Sequence, residues 1–184
     1  MRLVPWTAQD LAKRMDEVLA VFGEAMSYDR QALEVRRGYI NTHLKRSGFH
    51  AVATITDDGR LAGFGYGYRG AHGQWWHDHV RSALSKQEKQ RWLSSCFEIV
   101  EMHVRPSAQG KGRGEAQLRS LLAMTTEHTG LLSTPEVADE AASRAWRLYR
   151  RTGFIDVVRQ LMFPGDPRPF AVLGCDLPMR APSG

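Results

Sequence analysis

The chain has 184 residues, of which 42% are hydrophobic and 24% are charged, and its formal net charge is +5. This length and apolar content predict a single folded domain over residues 1–184. No run of about 18 apolar residues is present and no apolar stretch follows Met1, which argues against a membrane-spanning helix and a signal peptide. We therefore expect a soluble, cytoplasmic protein without a membrane partner.

The two cysteines and the basic charge allow further exclusions. Cys96 and Cys175 each lie beside apolar residues in strand-like runs, which is typical of reduced, buried thiols rather than of a disulfide framework. A basic surface attracts anionic ligands, and nucleic-acid binding is one alternative. That alternative rests on charge alone, because the chain has no Cys/His finger spacing, no helix-turn-helix pattern and no RNP-like aromatic strand.

The N-terminal part of the chain predicts a short strand, two helices and a hairpin. The strand covers residues 3–6, and apolar side chains at helical spacing predict an amphipathic helix over residues 10–26. A second, less periodic helix is predicted over residues 31–45. Two strands, residues 49–56 and 60–69, are separated by an Asp-Asp-Gly turn and form the hairpin.

The segment of residues 70–93 is rich in aromatic and histidine side chains, and a helix is predicted at its end, over residues 87–95. The side chains concerned are His72, Trp75, Trp76, His77 and His79. Aromatic faces favour cations and hydrophobic amines, so this segment either lines an acceptor pocket or packs on the sheet as a lid. No cysteine or carboxylate completes a zinc site at a familiar spacing, and we predict no metal.

A strand followed by a helix is predicted in the middle of the chain. Residues 97–104 are mostly apolar and include β-branched side chains, and the run stops at Arg105-Pro106, where proline ends ladder pairing. After Gly112, apolar side chains recur at helical spacing as far as Thr125.

Between this strand and helix lies a basic turn rich in glycine. Its residues are Gln109, Gly110, Lys111, Gly112, Arg113 and Gly114. The first N–H groups of a helix have no intrahelical partner, and together with the positive end of the helix dipole they form an anion site. The turn therefore predicts a site for a phosphate ester. It is not a P-loop, because Glu115 follows the last glycine, and it lacks the spacing of a Rossmann turn.

The C-terminal part of the chain predicts further strands over residues 131–134, 154–162 and 170–176, with a helix over residues 140–152. Strands interleaved with helices indicate an α/β fold, and the hairpins make its sheet mixed. We expect a mixed central sheet of about seven strands with helices on both faces.

Two segments resemble the signature of the GNAT (Gcn5-related N-acetyltransferase) family. Val104-Arg105-Pro106, followed by the glycine-rich turn, is similar to the acyl-CoA signature Q/R-x-x-G-x-G/A, and residues 145–154 are similar to the family's A-x-x-L-Y-x-x-x-G-F helix. Both lie in the family's order and spacing. One departure is Ala142, where many members have asparagine, so a cofactor contact by that residue is either absent or made by Ser143.

The resemblance implies an enzyme that uses acetyl-CoA as co-substrate and acetylates a small amine, an antibiotic-like molecule or a protein amino group. The backbone at Met102, His103 and Val104 would hold the pantetheine arm and the acetyl carbonyl, and the turn from Gln109 to Gly114 would hold the diphosphate. A non-catalytic acyl-CoA-binding or sensing module is the alternative function. Because members of the family often pair, the resemblance also allows a homodimer.

The catalytic residues are likewise expected from the resemblance and from strand geometry. Tyr149 matches the family's tyrosine, and we expect it to act as the general acid, on one helix face with Ala142 and Trp146. Glu98 and Glu101 are both candidates for the general base, on opposite faces of their strand unless a bulge intervenes. A third candidate is His103, on the face of Glu101.

Overall fold

The computed structural model describes residues 1–179, which form seven strands and seven α-helices. The strands are β1 (Arg2–Trp6), β2 (His50–Ile55), β3 (Leu61–Arg69), β4 (Cys96–Val104), β5 (Thr129–Pro135), β6 (Ile155–Met162) and β7 (Pro169–Asp176). The helices are α1 (Ala8–Lys13), α2 (Met15–Met26), α3 (Arg30–His43), α4 (Trp75–Ser82), α5 (Lys86–Leu93), α6 (Arg113–Leu122) and α7 (Arg144–Arg151).

The strands form one sheet in the order β1-β2-β3-β4-β5-β7-β6. Strands β1, β2 and β3 pair antiparallel, and so do β5, β7 and β6. In contrast, β4 and β5 pair in parallel, with Cys96 opposite Thr129 and Glu98 opposite Leu131. The sheet is therefore mixed, and the predicted α/β fold class is confirmed.

The chain's contacts divide it into two compact units. The first comprises Met1–Tyr68 with Ile99–Thr125, and the second comprises Arg69–Glu98 with the chain from Thr126 onward. In the first, one hydrophobic cluster joins apolar side chains of α1, α2 and α3 to those of β2 and β3. In the second, a cluster joins side chains of α4, α5, β5 and β7. The single domain over residues 1–184 stays a prediction.

Three helical predictions differ from the structure. The predicted helix over residues 10–26 is two helices, because the chain breaks at Arg14, whose φ and ψ are −113° and 26°. The helix α4 lies earlier in the aromatic segment than the helix predicted at its end, at residues for which no helix was predicted. The helix predicted over residues 140–152 begins only at Arg144, because the side chain of Ser143 caps it. Within residues 1–179, no helix is both long and apolar enough to span a bilayer.

Glycines in β3 allow close contact with β4 and α6. A Cβ on Gly65 would lie 2.7 Å from the sulfur of Met102. On Gly63 a Cβ would lie 2.6 Å from Nε2 of Gln117 and 2.8 Å from the carbonyl oxygen of His103. Real Cβ atoms do not approach neighbours so closely, and at Gly63 one neighbour is backbone, so this position in β3 requires glycine for β4 to lie where it does. The sulfur beside Gly65 ends a flexible side chain that can move.

Gly63→Ala tests this constraint on β4. Because one of the clashing atoms is backbone, we expect the free energy of unfolding to fall by about 1–3 kcal/mol, measured by urea denaturation. The control is Gly38→Ala in α3, where a Cβ meets no atom within 4 Å. That variant should gain up to about 1 kcal/mol from helix propensity. A Gly63→Ala protein as stable as the wild type would contradict the close approach.

Candidate active site

Strand β4 carries three residues predicted to contact the co-substrate and all three candidates for the general base, which are Glu98, Glu101 and His103. Its alternation places Glu101 and His103 on one face and Met102 on the other. The His103 ring lies 4.8 Å from the Phe22 ring and 5.5 Å from the Phe64 ring, measured between centroids. His103 thus lies on the face of β4 against which α2 packs. This is also the face of Glu101, as predicted.

Glu101 joins two side chains that are far apart in the sequence. Its Oε1 accepts a hydrogen bond from Nη1 of Arg36 at 2.8 Å, and its Oε2 lies 2.7 Å from Nε2 of His103. The side chains of Glu101 and His103 are 10% and 11% exposed. We call Arg36, Glu101 and His103 the Glu101 cluster. Arg36 was not predicted as a site residue.

A second, half-buried histidine, His43, lies near this cluster and is neutral. Nδ1 of His43 lies 3.0 Å from the hydroxyl of Tyr66. Burial lowers the pKa of His43 to about 4, and the positive charge of Arg36 adds to this effect while the negative charge of Glu101 opposes it. At neutral pH, His43 therefore adds no charge beside Glu101.

The glycine-rich turn has an open, left-handed backbone. Gly110 and Gly112 have φ values of +80° and +72°, a conformation that favours glycine, and a Cβ at either would meet no atom within 4 Å. Gly110, Lys111 and Gly112 are exposed. The side chain of Gln109 donates a hydrogen bond to the carbonyl of Val104 at 2.9 Å, which ties the turn to the end of β4.

Helix α6 begins inside this turn without a side-chain cap. Gly112 is the N-cap, and the N–H of Ala116 makes a helical bond to its carbonyl at 3.0 Å. The N–H groups of the first helical turn, before Ala116, have no helical partner and point outwards, where an anion can accept from them. Arg113 donates to the carbonyl of Ala108 at 2.6 Å, so its guanidinium holds the turn in shape. Lys111 stays the exposed cation of the turn.

The other two predicted catalytic residues lie in the second unit. Glu98 lies in β4 and is 4% exposed. It follows Cys96 by two residues, so both side chains lie on one face of the strand, and the negative charge of Glu98 contributes to the raised pKa of that thiol. Tyr149 is half-buried on α7, with its ring 5.8 Å from that of Phe154. Their roles stay predictions.

The start of α7 departs from what was expected. Ala142 precedes the helix and is exposed, so it does not share a helical face with Tyr149. The hydroxyl of Ser143 accepts from the N–H of Trp146, and this capping bond occupies the residue that could replace the family's asparagine. Trp146 is buried, and its indole donates to the carbonyl of Pro135 at 3.1 Å.

The segment of residues 70–93 is structured around its aromatic side chains. The indole of Trp76 donates to the hydroxyl of Ser133 at 3.0 Å, and His77 is buried, whereas Trp75 is 60% exposed and stacks on His79. Two grooves of about 630 and 450 Å³ flank α5; His72 and His77 line the second, and none of the predicted catalytic or co-substrate-binding residues lines either. Among residues 1–179, no cluster of metal-ligating side chains occurs.

Both cysteines are free and buried, as predicted. Burial raises the pKa of Cys96 and of Cys175 to about 12, so neither is ionised at neutral pH. A nucleophilic role for either thiol would need the thiolate, and the site geometry therefore contains no activated cysteine.

The chain is similar to known acetyltransferases along most of its length. The model of the acetyltransferase (GNAT) family matches residues 15–154. A GCN5-like protein acetyltransferase of Mycobacterium tuberculosis is 38% identical, over 96% of this chain and 98% of that protein.

Solved structures share the fold at low sequence identity. A GNAT-family protein of Desulfovibrio desulfuricans has a TM-score of 0.67 at 17% identity, and the match covers 95% of this chain and 99% of that one. Arabidopsis thaliana NAA60, solved in complex with acetyl-CoA, has a TM-score of 0.61 at 14% identity, over 96% of this chain and 98% of that one. These similarities concern the arrangement of helices and strands.

Proposed function

This chain belongs to the GNAT acetyltransferase family and is an N-acetyltransferase, and we propose that it transfers the acetyl group of acetyl-CoA to amino groups of proteins. The observation that carries the use of acetyl-CoA is the uncapped start of α6 at Gly112, in the family's acyl-CoA signature. The relative named a protein acetyltransferase, at 38% identity, favours a protein acceptor over a small amine or an antibiotic.

The glycine-rich turn fits the diphosphate of the co-substrate. Diphosphate needs several N–H donors and room for its oxygens, and the turn offers exposed backbone at Gly110 and Gly112 with no side chain in the way. In this proposal Gln109, Gly110, Lys111, Gly112, Arg113 and Gly114 bind the diphosphate. The backbone of Met102, His103 and Val104 holds the pantetheine arm and orients the acetyl carbonyl.

Three kinds of group complete the reaction. The co-substrate supplies a thioester carbonyl, and the enzyme holds it against the amine, which provides much of the rate by positioning. Tyr149 donates a proton to the departing thiolate in this proposal. A base removes the proton of the amine, and its candidates are Glu98, Glu101 and His103. A covalent enzyme intermediate is not needed.

Binding of acetyl-CoA is expected to depend on the backbone of the turn. Acetyl-CoA at about 100 times its Kd should add about 2.7 kcal/mol to the stability of the wild type, seen as a rise in Tm. Acetate and ATP serve as comparison ligands, and neither should match this rise. Gly112→Val, which places a β-branched residue at φ +72°, should lose most of the effect.

The matched control for that variant is Gly59→Val. Gly59 also has a positive φ, +84°, but lies in the turn between β2 and β3. The Gly59→Val variant should therefore have a lower Tm without ligand, while its stabilisation by acetyl-CoA stays intact. Equal loss of stabilisation in both variants would mean that general strain, not the turn, weakens binding.

Turnover with different acceptors tests the acceptor class. We expect CoA release with lysine-containing peptides and with folded proteins, together with an acetyl mass increase on the acceptor by mass spectrometry. Small polyamines and aminoglycosides should be poorer acceptors by kcat/KM. Binding of acetyl-CoA without turnover on any amine would instead identify a non-catalytic acyl-CoA-binding module.

Tyr149→Phe tests the proton donor. Loss of general acid catalysis should lower kcat by roughly 10²-fold, with the KM for acetyl-CoA nearly unchanged, because only the hydroxyl is removed. Tyr39→Phe is the control, since Tyr39 is 55% exposed on α3. A Tyr149→Phe enzyme with the kcat of the wild type would remove Tyr149 from the mechanism.

A further inference from the structure

The hydrogen bonds of Glu101 determine which nitrogen of His103 carries a proton. Both oxygens of the carboxylate are engaged, one by Arg36 at 2.8 Å and the other by Nε2 of His103 at 2.7 Å. An ionised carboxylate can only accept, so Nε2 of His103 is the protonated nitrogen. In the neutral ring, Nδ1 then has the free lone pair. In the described part of the chain, no hydrogen bond engages this Nδ1.

We propose that His103 is the general base of the reaction and that Glu101 and Arg36 are its positioning residues. This role rests on the acetyl transfer proposed above. Nδ1 takes one proton from the lysine ammonium, and the neutral amine then attacks the thioester carbonyl, so that the N–C bond forms and the C–S bond breaks. The second proton of the nitrogen passes through Tyr149 or water to the departing thiolate, and His103 releases its proton to solvent before the next cycle.

Glu101 itself is poorly placed to take that proton. It is 8% exposed, and each of its oxygens already accepts a charge-assisted or ring N–H bond. A proton on the carboxylate would remove the charge that holds Arg36 and would leave a guanidinium without its partner in a largely buried site. With Glu101 kept ionised, the same charge instead stabilises the imidazolium that forms on His103.

The charges and rings around His103 favour proton transfer to this one side chain. From α3, Arg36 contributes a fixed positive charge, and His43 stays neutral because burial lowers its pKa to about 4. From β3, the hydroxyl of Tyr66 is hydrogen-bonded to His43, while Phe64 packs on the ring of His103. Phe22 of α2 packs edge-on against the same ring, so packing and Glu101 together fix its orientation.

His103→Gln is the most informative variant. The amide nitrogen of glutamine can still donate to Glu101 from the place of Nε2, but the side chain lacks the ring lone pair. We expect kcat on a lysine peptide to fall by roughly 10²-fold or more, with the KM for acetyl-CoA unchanged. Glu101→Gln and Arg36→Gln should lower kcat less, because they misplace the base without removing it.

Arg37→Gln is the matched control for Arg36→Gln. Arg37 is the next residue on α3, but it pairs with Asp16 and Glu34, whose side chains are 90% and 59% exposed. This control should keep the kcat of the wild type. Stabilisation of each variant by acetyl-CoA, measured as a rise in Tm, reports that the protein is folded and binds its co-substrate.

Two readouts separate a base from a structural residue. Imidazole added to His103→Ala should restore part of kcat, and it should not restore Glu101→Ala, which retains its own imidazole ring. The defect of His103→Gln should also shrink as pH rises towards the lysine pKa of about 10.4, because solution then supplies the neutral amine. If His103→Gln fails to fold, the imidazole rescue of His103→Ala decides.

The outcomes distinguish this role from the proposed function. A wild type that consumes no acetyl-CoA with any amine overturns the acetyl transfer itself. A wild type that turns over while His103→Gln keeps full kcat overturns the role of His103 alone. A Glu101→Gln enzyme as impaired as His103→Gln, with no rescue of His103→Ala by imidazole, overturns the assignment in favour of Glu101 as the base.

Discussion

The alternation of side chains along β4 is the constraint on which the proposed chemistry depends. A period of two puts Glu101 and His103 on one face, close enough for a 2.7 Å contact between their side chains. It puts Met102 on the opposite face, over Gly65 of β3. A shift of one residue in the register of β4 would exchange these two sets and would bury Met102 where the cluster now lies.

A buried carboxylate held by two donors is weak evidence for stability and better evidence for function. Removing two charges from water costs free energy that their attraction only partly offsets, and apolar residues of similar volume would often do as well. Glu101 and His103 lie in a largely enclosed position and Arg36 in a half-buried one, beside two aromatic rings that keep the histidine in one orientation. That arrangement holds the ring of His103 in one place, as the proposed reaction requires of its proton acceptor.

The turn before α6 forms its anion site from backbone N–H groups. Two left-handed glycines and an N-cap without a side chain leave N–H groups of the first helical turn directed outwards. Gln109 and Arg113 use their side chains on backbone carbonyls, which keeps the turn in one shape before any ligand binds. Binding then costs less ordering of the chain, since the donors are already in place.

Much of the fold and of the candidate site could be predicted from the sequence, because these features depend on neighbours along the chain. The glycine-rich turn, the strand before it, the helix after it and the face shared by Glu101 and His103 all follow from local spacing. Other local signals in the sequence also determine helix ends, such as Ser85 and Glu88, whose capping box starts α5. Ser143 is another, since its hydroxyl caps α7, which begins four residues later than predicted.

Only the tertiary structure brought Arg36 to Glu101, a contact between residues 65 positions apart. It also decided the helix α4 and the break at Arg14, whose side chain bonds Glu17 and the carbonyl of Gly59. No spacing within one helix or strand encodes such contacts, because they arise when elements already formed pack against each other. The sequence by itself therefore determined the family, the strand β4 and the glycine-rich turn, whereas packing decided which charged side chains contact each other.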